Sequence, residues 1–325
     1  MTDSVVVSIV TFNGKAYLQR CLDSVLSQTH RPMEVHLLDN ASEDGTPDFV
    51  AKNFPSVKVV RSKVNLGFGA GHNLIIHQTH SSFVLVLNQD AFLSPTFLEE
   101  LITAIKQHPD VGIAGGKLLS LRKVEPDTGA VDVIDMTWLD IEKKRRQVCY
   151  AQGQHDTGRP SIPTLAFAID GAAMLLRRSM LADVEIEQQV FDEEFFAGKE
   201  DLDISWRAQL LGWKCLYVPA AVGHHVRTFT SKDKRSDISE SLKVSSIRNR
   251  YLLILKNDLI GNFLRHLPHI AIYETKIIGY VLLYERPSLK GYKQVLSLLP
   301  GALRKRRAIM SRKKVDSQYI LSWFR

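Results

Sequence analysis

Phe83-Val84-Leu85-Val86-Leu87-Asn88-Gln89-Asp90 is the stretch whose reading decides the fold. Five apolar residues in a row end abruptly in three polar ones. A short unbroken apolar run suits a strand buried on both faces, as in a parallel sheet covered by helices. The switch at Asn88 marks where that strand leaves the core. Ligands of open α/β sheets bind just outside the carboxyl ends of the strands. Asp90 stands there, where a carboxylate can hold a hard divalent cation against phosphate oxygens. It can equally open a turn before Ser94-Pro95, and the local sequence does not separate the two.

Working outward, similar runs recur. Val5 to Val10 ends at Thr11-Phe12-Asn13-Gly14, and Met33 to Leu38 ends at Asp39-Asn40-Ala41-Ser42-Glu43-Asp44-Gly45. Val57 to Val60, Val111 to Ala114, Ile169 to Leu176 and Trp213 to Val218 complete the predicted strands. Helices are predicted between them. Leu18, Cys21, Leu22, Val25 and Leu26 fall at helical spacing, and Asp44 can cap a helix over 46–53. A helix follows the glycine-rich Asn65–Asn73, another opens at Ser94-Pro95 and runs to about Gln107, and a third spans Asp201 to Leu211. Strands alternating with helices roughly every 25–30 residues predict an α/β fold with a doubly wound, mostly parallel sheet and helices on both faces. Residues 119–163 lose the pattern and read as a loop-rich insertion with short strands over the site. After Arg227 the character changes again. Ser231 to Arg235 is polar, and apolar clusters with scattered bases follow. The expected division is therefore 1–230 and a helical, amphipathic region over 231–325.

Composition narrows the class. The hydrophobic fraction of 45% is ordinary for a globular protein. Cys21, Cys149 and Cys215 show no paired spacing, which fits a reducing compartment and neither a disulfide framework nor a zinc site. The net charge of +7 is unevenly placed: residues 286–325 hold 11 Lys/Arg and one acid. A basic tail implies an anionic partner, here a membrane surface, because the tail has no nucleic-acid module or interleaved aromatics. No signal peptide and no spanning run are expected, so the protein is placed in the cytoplasm, peripheral on the inner face of the cell membrane.

Asn13, Asp39, Asp44 and Asp90 all fall at strand ends, which converge in a parallel sheet. Asn13, Asp39 and Asp44 can hydrogen-bond a base and ribose. Glu200-Asp201 opens a helix after Gly198, and a carboxylate there can serve as a general base. His224-His225, just past a strand, can complete the coordination of a divalent ion with Asp90.

In this order the motifs Val7–Asn13, Asp39–Gly45, Asn88-Gln89-Asp90, Glu200-Asp201 and His224-His225 resemble inverting family-2 glycosyltransferases of the GT-A fold. Asn65-Leu66-Gly67-Phe68-Gly69-Ala70-Gly71-His72-Asn73 resembles a stretch of their rhamnosyltransferase-like branch. The resemblance covers roughly residues 4–230, with Arg248-Asn249-Arg250 also similar. It implies that Thr11, Asn13, Asp39, Asp44, Asn65, Gly69 and Asn88 contact the nucleotide sugar. It implies that Asp90 with His224 or His225 holds Mg2+ or Mn2+, since Asn88 replaces the first carboxylate of the D-x-D motif. Asp201 matches the catalytic base, supported by Glu200, and Asp170, Gly171 and Arg248 fall on the acceptor side. The donor would be dTDP-rhamnose, with UDP- and GDP-linked sugars as alternatives, and the acceptor a glycan or polyprenyl-linked glycan. A nucleotidyltransferase and a non-catalytic membrane scaffold are the rival readings. The first lacks a convincing Lys/Arg-rich phosphate loop, and the second leaves Asp90 and Asp201 without a purpose.

Overall fold

The structure, a computed structural model, describes residues 3–121, 132–226 and 238–325. In chain order the elements are β1 (Val5–Thr11), α1 (Lys15–Leu26), β2 (Met33–Asp39), α2 (Thr46–Asn53), β3 (Lys58–Arg61), α3 (Gly67–His77), β4 (Phe83–Asn88), β5 (Ala91–Leu93), α4 (Phe97–Gln107), β6 (Val111–Ser120), β7 (Ile134–Met136), β8 (Trp138–Ile141), β9 (Gln147–Cys149), β10 (Thr164–Ala166), β11 (Ala168–Ile169), β12 (Ala173–Arg177), α5 (Arg178–Val184), α6 (Glu200–Leu210), β13 (Lys214–His225), α7 (Glu240–Asn257), α8 (Ile260–Arg265), α9 (Leu267–Tyr284), α10 (Leu289–Ser311) and α11 (Ser317–Ser322). The polar run Ser231–Arg235 and the division near 230 lie outside the described residues.

The main sheet runs β10-β13-β6-β12-β4-β1-β2-β3, with β5 on β13 and β7 on β6. β1 is parallel to both β2 and β4, β2 to β3, and β6 to β13. β12 runs antiparallel between β4 and β6, and β10 antiparallel on the edge. The expected mostly parallel α/β sheet is what forms.

The unbroken apolar runs have the cause inferred for them. Val5, Val7 and Ile9 of β1 and Phe83, Leu85 and Leu87 of β4 meet Leu18, Leu22 and Val25 of α1 and Leu101 and Ile105 of α4. The alternate residues Val6, Val84 and Val86 meet Ile75 and Ile76 of α3 and Ile204 and Ala208 of α6. Side chains alternate across a strand, so covering both faces demands apolar residues at every position.

Several local expectations are corrected. β5 intervenes after Asp90, so the helix predicted from Ser94 begins at Phe97. The glycine-rich stretch is itself the opening of α3. The histidine pair lies inside β13, which continues past Val218 through a bulge between Tyr217 and Val222. Within the insertion, β8 and β9 join β11 in a separate three-stranded sheet.

The largest departure concerns the basic tail. Lys305 of α10 is buried and pairs with Asp192 at 2.6 Å, and Lys256 of α7 pairs with Asp192 and, at 2.9 Å, with Asp203 of α6. Burial works against the charge of Asp192, but the two ammonium groups outweigh it and hold its carboxyl well below the ordinary range. Arg304 pairs with Glu187 at 2.5 Å and Arg325 with Asp140 at 2.8 Å. Arg306 and Arg312 donate to backbone carbonyls of residues 255, 258, 183 and 185. Much of the tail's charge therefore finds its anionic partner on the body of the same chain. Apolar side chains face outward as well: Ile272, Leu283 and Tyr284 of α9 are 62%, 72% and 76% exposed. Among the described residues no helix is long and apolar enough to cross a membrane.

Breaking a buried ion pair from one side leaves an uncompensated charge and costs about 3–5 kcal/mol. Lys305→Ala is therefore expected to lower stability by about 3 kcal/mol, read as a fall in the urea midpoint. Lys293→Ala, which has no ion pair among the described residues, should leave the midpoint in place. Equal midpoints for both variants would show that the cluster does not hold α10.

Candidate active site

Asp201 sits in the first turn of α6. Its carboxylate accepts from Leu202 N at 2.7 Å and from Gly171 N at 3.3 Å. It lines a cavity of about 320 Å³ with Glu200, Asp170, Gly171, Asn88, Asp90, His225, Lys199 and Phe68. Burial, Asp170 and Glu200 push its pKa up to about 8. Glu200 is buried, its pKa is also raised chiefly by burial, and its Oε2 has no hydrogen-bond partner among the described residues. A carboxyl poised near neutrality at a cavity wall has the property a general base needs.

The loop leading into α6 is strained. Phe196, Gly198 and Lys199 all have positive φ, at 60°, 86° and 77°. Asn249 of α7 holds the loop by donating to the carbonyls of Phe195, Ala197 and Gly198 at 2.9, 3.0 and 2.7 Å.

On the opposite wall, His225 Nε2 lies 3.3 Å from Asp90 Oδ1 and 3.4 Å from Asn88 Nδ2. Its Nδ1 meets Asp135 Oδ2 at 2.8 Å. Burial disfavours the imidazolium, but hydrogen bonds with Asp135 and Asp90 outweigh it and raise the pKa to about 9. Of the two histidines, only His225 turns to Asp90. Successive strand residues face opposite sides, and His224 instead meets the charges of Arg20 and Asp132, with burial and Arg20 lowering its pKa. His224 is thus withdrawn as a candidate ligand. A carboxylate, an imidazole nitrogen and an amide converge here, and the second carboxylate orients the ring, as metal-ligating histidines require. The donor set suits a hard divalent cation. Among the described residues no three His, Cys, Asp or Glu side chains make a complete cage, so further ligands would come from substrate oxygens.

A second cavity, about 280 Å³, shares Asn88, Asp90 and Phe68 with the first and extends over Thr11, Asn40, Asn65, Gly67 and Gln89. Asn65 and Asn88 stand at its wall as expected. Thr11 is buried and its hydroxyl donates to Gln89 Oε1 at 2.5 Å, so it fixes Gln89. Asp39 keeps a buried Oδ1 without a hydrogen-bond partner among the described residues, while its Oδ2 accepts from Ser42 N at 3.2 Å. Asn13 and Asp44 lie off the cavity wall and bind loops together: Asn13 Oδ1 accepts from Glu43 N, and Asp44 accepts from Lys15 N and Thr46 N. Gly69 is corrected outright. It lies inside α3, where a Cβ would come 3.1 Å from Phe191 Cβ, so its smallness serves helix packing. The glycine at the wall is Gly67, whose φ of 82° and 2.5 Å clearance from Phe196 O exclude a side chain.

Asp170 and Gly171 line the first cavity, and Asp170 also lines a third, described below. Arg248 does not reach either one. It donates to Phe195 O at 2.7 Å and to Gln294 Oε1 at 3.3 Å, joining the loop to α10. Arg250, on the same turn of α7, is the one that lines the third cavity. Sequence reasoning missed Asn40, Asp135 and Asn249. Asn40 falls inside the motif quoted for its neighbours, whereas Asp135 sits in a patternless insertion and carries no local signal.

The model of the family described as glycosyl transferase family 2 matches residues 6–184, more than half of the chain. A curated relative, the N-acetylglucosaminyl-diphospho-decaprenol L-rhamnosyltransferase of Mycobacterium tuberculosis, is 29% identical over 269 residues, 76% of this chain and 84% of its own. The structure of S. aureus TarS with UDP superposes with a TM-score of 0.56 at 19% identity, covering 94% of this chain and 88% of that one. GalNAc-T7, solved with UDP, GalNAc and Mn2+, superposes at 0.59 and 17% identity over 78% of this chain and 47% of that one. The fold is accordingly that of the GT-A glycosyltransferases. With a mostly parallel sheet whose strand ends converge on a carboxylate-lined cavity, and with the family model covering that sheet up to β12, the chain belongs to glycosyl transferase family 2, and it is a rhamnosyltransferase-like glycosyltransferase.

Proposed function

We propose that the protein transfers a sugar, with rhamnose from dTDP-rhamnose the leading candidate, to a hydroxyl of a polyprenyl-diphosphate-linked glycan, with inversion at the anomeric carbon. The observation that carries this reading is the placement of Asp201. Its carboxylate, poised near neutrality, faces Asp90 and His225 across one cavity. The relative from M. tuberculosis supports the donor and acceptor classes, because its name specifies rhamnose and a diphospho-decaprenol carrier.

The chain's residues divide the work as follows. Gly171 N and Leu202 N fix the two oxygens of Asp201 so that the carboxylate faces the cavity. Asp201 takes the proton of the acceptor hydroxyl, and the resulting oxygen attacks the anomeric carbon from the face opposite the nucleotide. Asn88, Asn65 and Gly67 shape the nucleotide side, and Phe68 separates the two cavities' contents. Asp90 and His225 would hold Mg2+ or Mn2+, which supplies charge stabilisation for the departing diphosphate. The apolar outer face of α9 supports an association with the inner face of the cell membrane, to which the tail's exposed bases would add.

The direct test is a panel of dTDP-, UDP- and GDP-sugars with a polyprenyl-diphosphate GlcNAc acceptor, scoring product and its anomeric configuration. Absence of product from every donor, or a retained configuration, would overturn the reading. Asp201→Asn should lower kcat by at least about 10³-fold while nucleotide affinity stays within about twofold. The proton must leave Asp201 before it can act, so kcat/KM should rise with pH and level off above about 8. The same raised pKa means that the native state holds a proton that the unfolded chain releases. Stability due to this residue therefore falls between its unfolded value and about 8, and Asp201→Asn should melt at or above wild type at pH 8, with the gap closing toward pH 4. A variant that melts earlier than wild type throughout would assign the lost activity to misfolding.

Asp135→Asn tests the cation seat. Losing a partner behind a ligating histidine costs about 10–100-fold in metal affinity. The Mn2+ concentration for half-maximal activity should rise by that factor, whereas His224→Ala should leave it unchanged. The reverse pattern would move the seat to the other histidine.

A further inference from the structure

We propose that a third cavity, of about 610 Å³, seats the diphosphate of a polyprenyl-linked acceptor, and that α9 carries its hydrocarbon chain. The proposal rests on the transferase reading above and gives that reading a place for the acceptor. The cavity adjoins the candidate active site, sharing Asp170 and Lys199 with it. Four cations line it: Arg146 from the insertion, Lys199, Arg250 from α7 and Lys276 from α9. Its one carboxylate is Asp170.

The charges are available. Arg250 is engaged by Glu274 at 2.6 Å. Arg146, Lys199 and Lys276 make no ion pair with a described residue. Burial and the neighbouring Arg250 lower the pKa of Lys199, as expected where like charges crowd together. Five of the tail's eleven cations pair with acids among the described residues. Around the cavity only Arg250 of the four has an ion pair among the described residues, and crowding of this kind is relieved by a multivalent anion. A diphosphate has the required charge and several acceptor oxygens.

A second feature selects the kind of diphosphate. Ile277 and Tyr280 of α9 reach the cavity wall. Outside it, Ile278, Leu282, Leu283 and Tyr284 of the same helix are exposed, and only Ile270 and Val281 of α9 are buried. An apolar strip therefore runs outward from a cationic seat. A nucleotide would satisfy the cations and leave the strip unused. An isoprenoid diphosphate matches both, with its head group toward Lys199 and its chain along α9. A sugar on the far side of the diphosphate would then project past Asp170 toward Asp201.

Binding of geranylgeranyl diphosphate to the full-length protein, by equilibrium dialysis, tests this. It should bind at least about tenfold more tightly than geranylgeraniol and than inorganic diphosphate. Arg146→Glu and Lys276→Glu should each weaken it by about tenfold or more, and Lys276→Arg should restore it. Leu283→Glu should weaken geranylgeranyl diphosphate while leaving inorganic diphosphate as in wild type. Arg146, Lys276 and Leu283 are all exposed, and melting curves matching wild type confirm that the variants are folded. Equal affinity for geranylgeranyl and inorganic diphosphate would remove the role of α9, and unchanged affinity in both charge reversals would remove the seat. If the probe binds as expected but no donor is consumed, the seat stands and the transferase reading falls. If sugar is transferred to diphosphate-free and diphosphate-linked acceptors with equal KM, the seat falls and the transferase reading stands.

Discussion

Asp203, two residues beyond the candidate base, is fully buried between Lys256 at 2.9 Å and Arg207 at 2.9 Å. The rest of the site depends on that anchorage. α6 must be held rigidly if the carboxylate in its first turn is to meet a hydroxyl at hydrogen-bond distance. Asn257 adds a hydrogen bond to Asp203 at 2.7 Å, and Lys256 also stacks over Phe195 at 4.6 Å. Two aspartates on one helix thus meet opposite fates. Burial opposes the charge of Asp203, but Lys256 and Arg207 overcome it and lower its pKa. Burial and two neighbouring carboxyls raise that of Asp201. One is a fixed negative post, the other a proton acceptor, and only the charges facing them differ.

The two halves of the sheet supply the two walls of the cavity. The parallel register of β1, β2 and β4 brings Thr11, Asp39 and Asn88 to one edge. β12 enters antiparallel beside β4, so the turn at Asp170-Gly171 arrives at that same edge from the other direction. β13 then carries His225 opposite Ala91. A purely parallel sheet would have sent β12 the other way and left Asp201 without the Gly171 amide. The reversal of β12 is what sets the candidate base against Asp90 and His225.

Much of this was legible in the sequence, and the limit is physical. Apolar runs and their polar ends are local properties, so Phe83–Asp90 reported both a buried strand and a ligand-facing edge. Strand direction is not local: nothing within Ala173–Arg177 distinguishes an antiparallel neighbour from a parallel one. Nor is side-chain facing across a bulge, which is why His224 and His225 looked equivalent until β13 was seen to continue through them. Gly67 and Gly69 have identical local claims, and only the approach of Phe196 to one and Phe191 to the other separates them. Net charge does not say which bases are already matched. The sum over residues 286–325 is strongly positive, but Lys305, Arg304 and Arg325 are matched by acids more than a hundred residues away in the chain.

Arg248, Asn249 and Arg250 show how closely the parts are coupled. Successive residues of a helix point about 100° apart, so one turn of α7 reaches three neighbours. Arg248 ties the strained loop to α10, and Asn249 satisfies three of that loop's carbonyls. Arg250 donates to the carbonyls of Lys144 and Arg145 in the insertion and to Glu274 of α9. The loop positions Asp201, while the insertion and α9 form the wall of the third cavity. Positive-φ conformations at three loop residues persist only where surrounding contacts over-determine them. Those contacts come from the same turn that builds the proposed acceptor seat. Any displacement of α9 or the insertion is therefore passed through α7 to the loop that aims the base, and acceptor binding and base positioning are mechanically one problem in this fold.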